Sequence, residues 1–225
     1  MRILALTVAA AALFAAACED PAANKPKATT ATPSANANVQ PNGNAANTAT
    51  NPAPAVRGEA LALNPENSKV SFVGSKVTGK HDGGFKQFTG TIDLVNGKAE
   101  ESAVTVDIDM ASVFTDAEGL TEHLQTGDFF EVSKYPKSTF ASSKIVPDAS
   151  KGANAYTITG DLEMRGVKRS VTFPATIVVG TDDVSVTSEF SINRKEFGIL
   201  YAGKADDLIR DAVVIKLDLK APRKK

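Results

Sequence analysis

Tyr156-Thr-Ile-Thr-Gly-Asp-Leu-Glu-Met164, then Arg165-Gly166, then Val167-Lys-Arg-Ser-Val-Thr-Phe173: this stretch decides the fold. Tyr156, Ile158, Leu162 and Met164 alternate with Thr157, Thr159, Asp161 and Glu163. Side chains of an extended strand point to opposite faces in turn, so this period of two predicts a strand with one apolar face. Arg165-Gly166 is a two-residue turn signal, and strands joined so closely must pair antiparallel. The same pattern continues on both sides. Val104, Val106, Ile108 and Met110 alternate with polar residues, as do Val184, Val186, Phe190 and Ile192, and Val213 to Leu219. Weaker alternation runs through 70–77, 85–95, 138–146 and 167–179, giving about eight strands. Asp82-Gly83-Gly84, Asn96-Gly97 and Gly180 to Asp183 read as further turns. Residues 117–125, with Asp116 as N-cap, read as a short helix inside the one long interruption.

An antiparallel meander of about eight strands, each apolar on one face, removes its exposed edges by closing into a barrel. Two barrels fit such alternation. A membrane-spanning barrel is apolar outside, but this chain has no aromatic girdles and ends Ala-Pro-Arg-Lys-Lys. The soluble form, apolar inside, is the expectation. Its lumen would be lined by Phe72, Phe88, Val106, Ile108, Ile158, Leu162, Phe173, Phe190 and Ile192. Gly74, Gly90, Gly160 and Ser188 share the inward parity and would leave room. The alternative is that these side chains close-pack and fill the barrel.

The N-terminus decides the compartment. Met1-Arg2, the apolar run Ile3 to Phe14, and Ala15-Ala16-Ala17 before Cys18 form an export signal, too short to span a bilayer. Cys18 is the single cysteine, so no internal disulfide is available. Small residues directly before it resemble the lipobox of bacterial lipoproteins, which implies a diacylglycerol on Cys18 and stable anchoring. Glu19 in the next position favours the outer membrane. From Glu19 to about Arg57 the chain is Ala, Asn, Thr and Pro with almost no large apolar residue, which predicts a disordered tether. Three segments follow: 1–17 signal peptide, 18–58 lipidated Cys and tether, and 59–225 barrel.

Catalytic machinery is hard to find. The net charge is −1, which gives no global pull toward nucleic acid. The chain has two histidines, His81 and His123, no nucleophile elbow, no phosphate loop and no metal-ligand spacing.

Several stretches together resemble the YceI-like family of lipid-binding periplasmic proteins. They are Ser68-Lys-Val-Ser-Phe72, His81-Asp-Gly-Gly-Phe85, Ala111-Ser-Val-Phe-Thr115, the run His123 to Pro136 containing Asp128-Phe129-Phe130, the Gly160 to Val171 hairpin, and Arg194-Lys-Glu-Phe-Gly-Ile199. Their order covers about Leu61 to Ala221. The resemblance implies a lipocalin-like barrel of eight antiparallel strands whose tunnel holds a polyisoprenoid chain or a quinone tail. It also implies no common catalytic activity. A lid or mouth would then involve His81, Leu124, Phe129, Phe130 and Arg194. The expected function is non-enzymatic binding of an isoprenoid lipid for sequestration or transport in the periplasm, with no other cofactor. Two alternatives stand beside it: an accessory to quinone redox or stress physiology, and an enzyme using His81 or His123 as general base on a buried lipid.

Overall fold

The computed structural model describes residues 20–33 and 58–223. The expected export signal and Cys18 lie outside the described residues, as do 34–57. The strands are β1 (Thr29–Ala31), β2 (Glu59–Leu63), β3 (Lys69–Lys76), β4 (Gly79–Phe85), β5 (Phe88–Val95), β6 (Lys98–Asp109), β7 (Val113–Thr115), β8 (Lys137–Pro147), β9 (Ala155–Met164), β10 (Val167–Val179), β11 (Asp183–Asn193), β12 (Gly203–Lys204), β13 (Asp207–Leu208) and β14 (Ala212–Pro222). One α-helix, α1, spans Glu118–Leu124.

All but β12 and β13 belong to one curled antiparallel sheet ordered β2-β5-β6-β8-β9-β10-β11-β14-β3-β4-β7, with β1 added to β10. The path returns on itself because two strands are bent. β4 and β5 form one such run, with β6 and β7 the other, and β5 pairs with β6 while β4 pairs with β7. Asp109 N donates to Gln87 O and Lys86 N to Ser112 O, both at 3.1 Å, carrying the pairing across the bends. Counted with these bends, the ring is β3, β4/β5, β6/β7, β8, β9, β10, β11 and β14. The count of named strands among the described residues is higher than the alternation suggested, since each bend splits a strand and β1, β2, β12 and β13 are extra.

Local chemistry explains the hairpins. Asn96-Gly97 (φ 53° and 68°) and Arg165-Gly166 (φ 51° and 71°) both take the two left-handed positions that a tight turn between twisted strands requires. Asp82-Gly83-Gly84 is different. It is not a turn but the middle of β4, and the chain reverses instead at Val77-Thr78. Its glycines serve close approach: a Cβ on Gly83 would sit 2.4 Å from the Phe72 ring and 2.7 Å from Phe114 O. Gly83→Ala should therefore cost about 1–3 kcal/mol in urea unfolding, because the Phe114 carbonyl belongs to the β7 backbone and cannot yield cheaply.

Two further expectations are corrected. Asp116 does not cap α1. The N-cap is Ala117, without a side-chain bond, and the Asp116 carboxylate instead meets His81 Nδ1 at 2.8 Å and Asp82 N at 3.2 Å. The supposed tether is not structureless over 20–33. There β1 pairs with β10 through Thr29↔Thr172, Thr30↔Val171 and Ala31↔Ser170. A composition poor in large apolar residues limits side-chain burial, but strand addition satisfies backbone groups and needs little of it.

Apolar side chains of the ring form one large cluster including Ile158, Phe173, Phe190 and Ile192. A second, smaller cluster of Val113, Leu124, Phe129 and Ile199 sits where α1 and its following loop meet the barrel, with Phe72 and Phe130 packed on it.

Candidate functional site

Between these two clusters lies a cavity of about 390 Å³. Strands from every side of the ring line it, and nearly every lining group is carbon, because the inward parity of each strand is apolar. Of the residues expected on its wall, Phe72, Val106, Ile108, Ile158, Leu162, Phe173, Phe190 and Ile192 are there. Phe88 is not. It is buried, 4 % exposed, in the main cluster but off the cavity wall. Its end of β5 is filled by β2, which alternation did not assign: Leu61 and Leu63 are fully buried, and Leu63 lies 3.3 Å from where a Gly90 Cβ would stand.

The small inward residues behave unequally. Gly74 borders the cavity and has nothing within 4 Å of a built Cβ. Gly160 leaves no room, since its missing side chain is replaced by the Phe140 ring, 2.5 Å from the built Cβ. Ser188 is off the cavity wall and donates to Pro174 O at 2.5 Å. Aromatic packing shapes the bore: Phe173 and Phe190 stack with centroids 4.2 Å apart and planes 11° from parallel, and Phe140 packs tilted on Phe173 at 5.8 Å.

One end is closed by the α1 segment. Leu124, Phe129 and Phe130, expected at a lid, all border the cavity, as does Leu120. His123 holds this cap together. Its ring meets Phe129 edge-on at 5.0 Å and Tyr201 at 5.2 Å, and Nε2 is 2.8 Å from Asp128 Oδ2. Arg165, read from sequence as a turn residue within the Gly160 to Val171 hairpin, ties the cap to the β9–β10 hairpin. It donates to Gly198 O at 2.5 Å and Gly127 O at 2.8 Å, with Glu131 Oε2 at 3.4 Å. The one sequence signal available for it was its place in the Gly160 to Val171 hairpin that carries the family resemblance.

The polar groups at the cavity are few and, apart from the buried Ser75 hydroxyl, partnered. His81 lies on β4 beside the cavity and its Nδ1 bonds Asp116, whose carboxyl is held below its usual range by that bond first and by the Asp82 N–H second. Arg194 borders the cavity and is 3 % exposed. Burial lowers its pKa, opposed by Asp211, yet a guanidinium stays charged at neutral pH. It donates to Ile199 O at 2.8 Å, Arg210 O at 3.1 Å and Ile209 O at 3.4 Å, with Asp211 Oδ1 at 3.4 Å. His81 and His123 thus each serve a separate carboxylate, and Arg194 serves a loop. Among the described residues no three His, Cys, Asp or Glu side chains come together in a way that could hold a metal ion.

Comparison with known proteins agrees with this architecture. A UPF0312 protein of Pseudomonas putida is 32% identical over 123 residues, which cover 52% of this chain and 62% of that protein. The chain thus spans less than two thirds of the length of the curated relatives it matches. The solved structure of Burkholderia cenocepacia BcnA superposes with a TM-score of 0.60 at 27% identity, covering 71% of this chain and 99% of BcnA. A solved domain of Saccharophagus degradans, described as polyisoprenoid-binding, shares the fold at a TM-score of 0.58 and 16% identity, covering 75% of this chain and all of that one. The YceI-like domain matches residues 61–221, which span the ring from β3 into β14, and the chain belongs to the YceI-like family.

Proposed function

We propose that the protein holds one long apolar chain of isoprenoid type, polyprenyl or quinone, inside its barrel, and that it sequesters or carries this chain in the periplasm without reacting with it. The observation that carries the reading is the continuous apolar cavity of about 390 Å³ inside the ring. A self-filled barrel would leave no such space. A prenyl chain burying on the order of 800 Å² would gain roughly 20 kcal/mol gross at 25 cal/mol per Å². Ordering and association costs cancel much of that and still leave useful affinity. The S. degradans domain of the same fold, described as polyisoprenoid-binding, supports the choice of ligand class.

Cys18 is proposed to carry the lipid anchor, with the outer membrane favoured. The docked 20–33 segment changes what the anchor does. Asp20 meets Arg210 on the body at 3.5 Å, and two residues span at most ~7 Å. The barrel is then held beside the bilayer, within reach of its lipid, and not at the end of a long leash. One mass-spectrometric experiment tests both parts on protein purified from membranes. The intact mass should show acyl chains on an N-terminal Cys18, and solvent extraction should release an isoprenoid near one per protein. Folded protein that repeatedly yields no apolar chain would overturn the binding reading.

A further inference from the structure

One seam of the barrel wall is short and carries an inserted segment. β9 and β10 pair over ten positions and β11 and β14 over eleven, but β10 and β11 pair only over four, Thr176–Val179 with Val184–Thr187. The ladder stops near Pro174, which has no N–H to donate and whose carbonyl is taken by the Ser188 hydroxyl. Below that point the strands part, and residues 26–31 occupy the opening. On one side β1 pairs with Ser170 to Thr172 of β10. On the other, Ala28 N donates to Ser191 O and Ser191 N to Pro26 O, both at 2.8 Å, with a parallel bridge between Lys27 and Ser191 of β11. Side chains flanking the gap border the cavity, Val171 and Phe173 on β10 and Phe190 and Ile192 on β11, with Phe173 and Phe190 stacked on each other across the seam.

What holds this inserted piece is slight. Ala28 is its one buried side chain, at 5 % exposure, and it joins the barrel cluster. The ion pairs at its base, Lys25 with Glu189 at 2.8 Å and Asp20 with Arg210 at 3.5 Å, involve groups about a third exposed, where such pairs contribute little. Thr30 adds a hydrogen bond to Glu196. The flanking strands, by contrast, keep their full ladders to β9 and β14 when the piece leaves. Removing one strand from between two leaves them about 10 Å apart, wide enough for a single prenyl chain.

We propose that residues 26–31 are a removable stave, and that the opening they cover between β10 and β11 is the lateral passage through which a single-chain isoprenoid lipid reaches the cavity. This rests on the cavity being a lipid site. Because the stave is continuous with the proposed anchor at Cys18, the passage opens on the side of the barrel held at the membrane.

The test locks the stave. In the full chain bearing Cys18→Ser, Thr29→Cys and Thr172→Cys place a pair on the outer face of the β1–β10 ladder, away from the cavity. Uptake of all-trans-retinol, an isoprenoid with its own fluorescence, is followed in the oxidised and reduced forms. The oxidised form should load at least ten times more slowly, with the rate restored by dithiothreitol. Equal rates would overturn the passage while leaving the cavity reading intact, whereas no uptake in either form would overturn both. Hydrogen exchange on the unmodified protein is an independent check. The Ala28 and Ser191 amides should exchange far faster than those of the β11–β14 ladder, and equal protection would make the stave a fixed part of the wall.

Discussion

Ile158→Asp is expected to empty the barrel. Ile158 is 3 % exposed, borders the cavity, and stands opposite Phe173 on β10 and Ile145 on β8. An ionised carboxylate there has no partner, so it must either take up a proton or draw water into the bore. Either outcome removes the dry surface on which an apolar chain gains its free energy. Lipid recovered per folded protein should fall below about a tenth of the unmodified level, a loss worth about 1.4 kcal/mol or more. Stability should fall by about 2–5 kcal/mol from the lost burial and the stranded polar group. A domain of ordinary stability survives that, and urea unfolding reports it directly. Gly74→Leu separates occupancy from stability. Its new side chain enters open space and should displace ligand with little cost to folding. Unchanged lipid in both folded variants would end the assignment of this cavity as the binding site.

The two variants also mark where the sequence was readable and where it was not. Ile158 could be placed on the inner wall because alternation put it on the apolar face of its strand and the lack of aromatic girdles argued against a barrel that turns that face outward. The turns at Asn96-Gly97 and Arg165-Gly166 were equally legible, and both take two successive left-handed conformations. Glycines misled elsewhere for a physical reason. A missing side chain can permit a turn, leave a void or admit a neighbour, and the sequence is the same in all three cases. Gly83 admits Phe72, Gly160 admits Phe140, and of these three only Gly74 faces open space. Phe88 went astray because β2, whose Leu61 and Leu63 fill that end, carries only five residues of pattern. The docked 20–33 segment was invisible for a deeper reason. Hydrophobic patterning reports side-chain burial, whereas β1 is held mainly through backbone groups that every residue possesses. The cue that was available lay elsewhere, in Pro174, which sits inside β10 without an N–H to donate, near where the pairing with β11 ends.

Arg194→Met should be the most destabilising change outside the apolar wall. The guanidinium is 3 % exposed and satisfies the carbonyls of Ile199, Ile209 and Arg210 together with Asp211. Met keeps a similar length of chain but has no donor, so three carbonyls lose their partner at once. Removing one side of such a buried charged network costs about 3–5 kcal/mol, a large share of a typical domain's stability. Arg194→Lys should recover less than half, because an ammonium cannot present the planar fork that reaches several acceptors together. The location of the damage distinguishes this from general loosening. Ile199 belongs to the small cluster with Leu124 and Phe129, and Ile209 packs on it. Freed carbonyls would turn toward water and carry those two side chains away from the cap. The amides of residues 199–211 should then lose hydrogen-exchange protection before those of β8 and β9 do. A bound retinol should also dissociate faster from Arg194→Met than from the parent at equal folded fraction. Uniform loss of protection across the ring, with retinol release unchanged, would mean that Arg194 supports the barrel as a whole and has no special hold on the closed end of its bore.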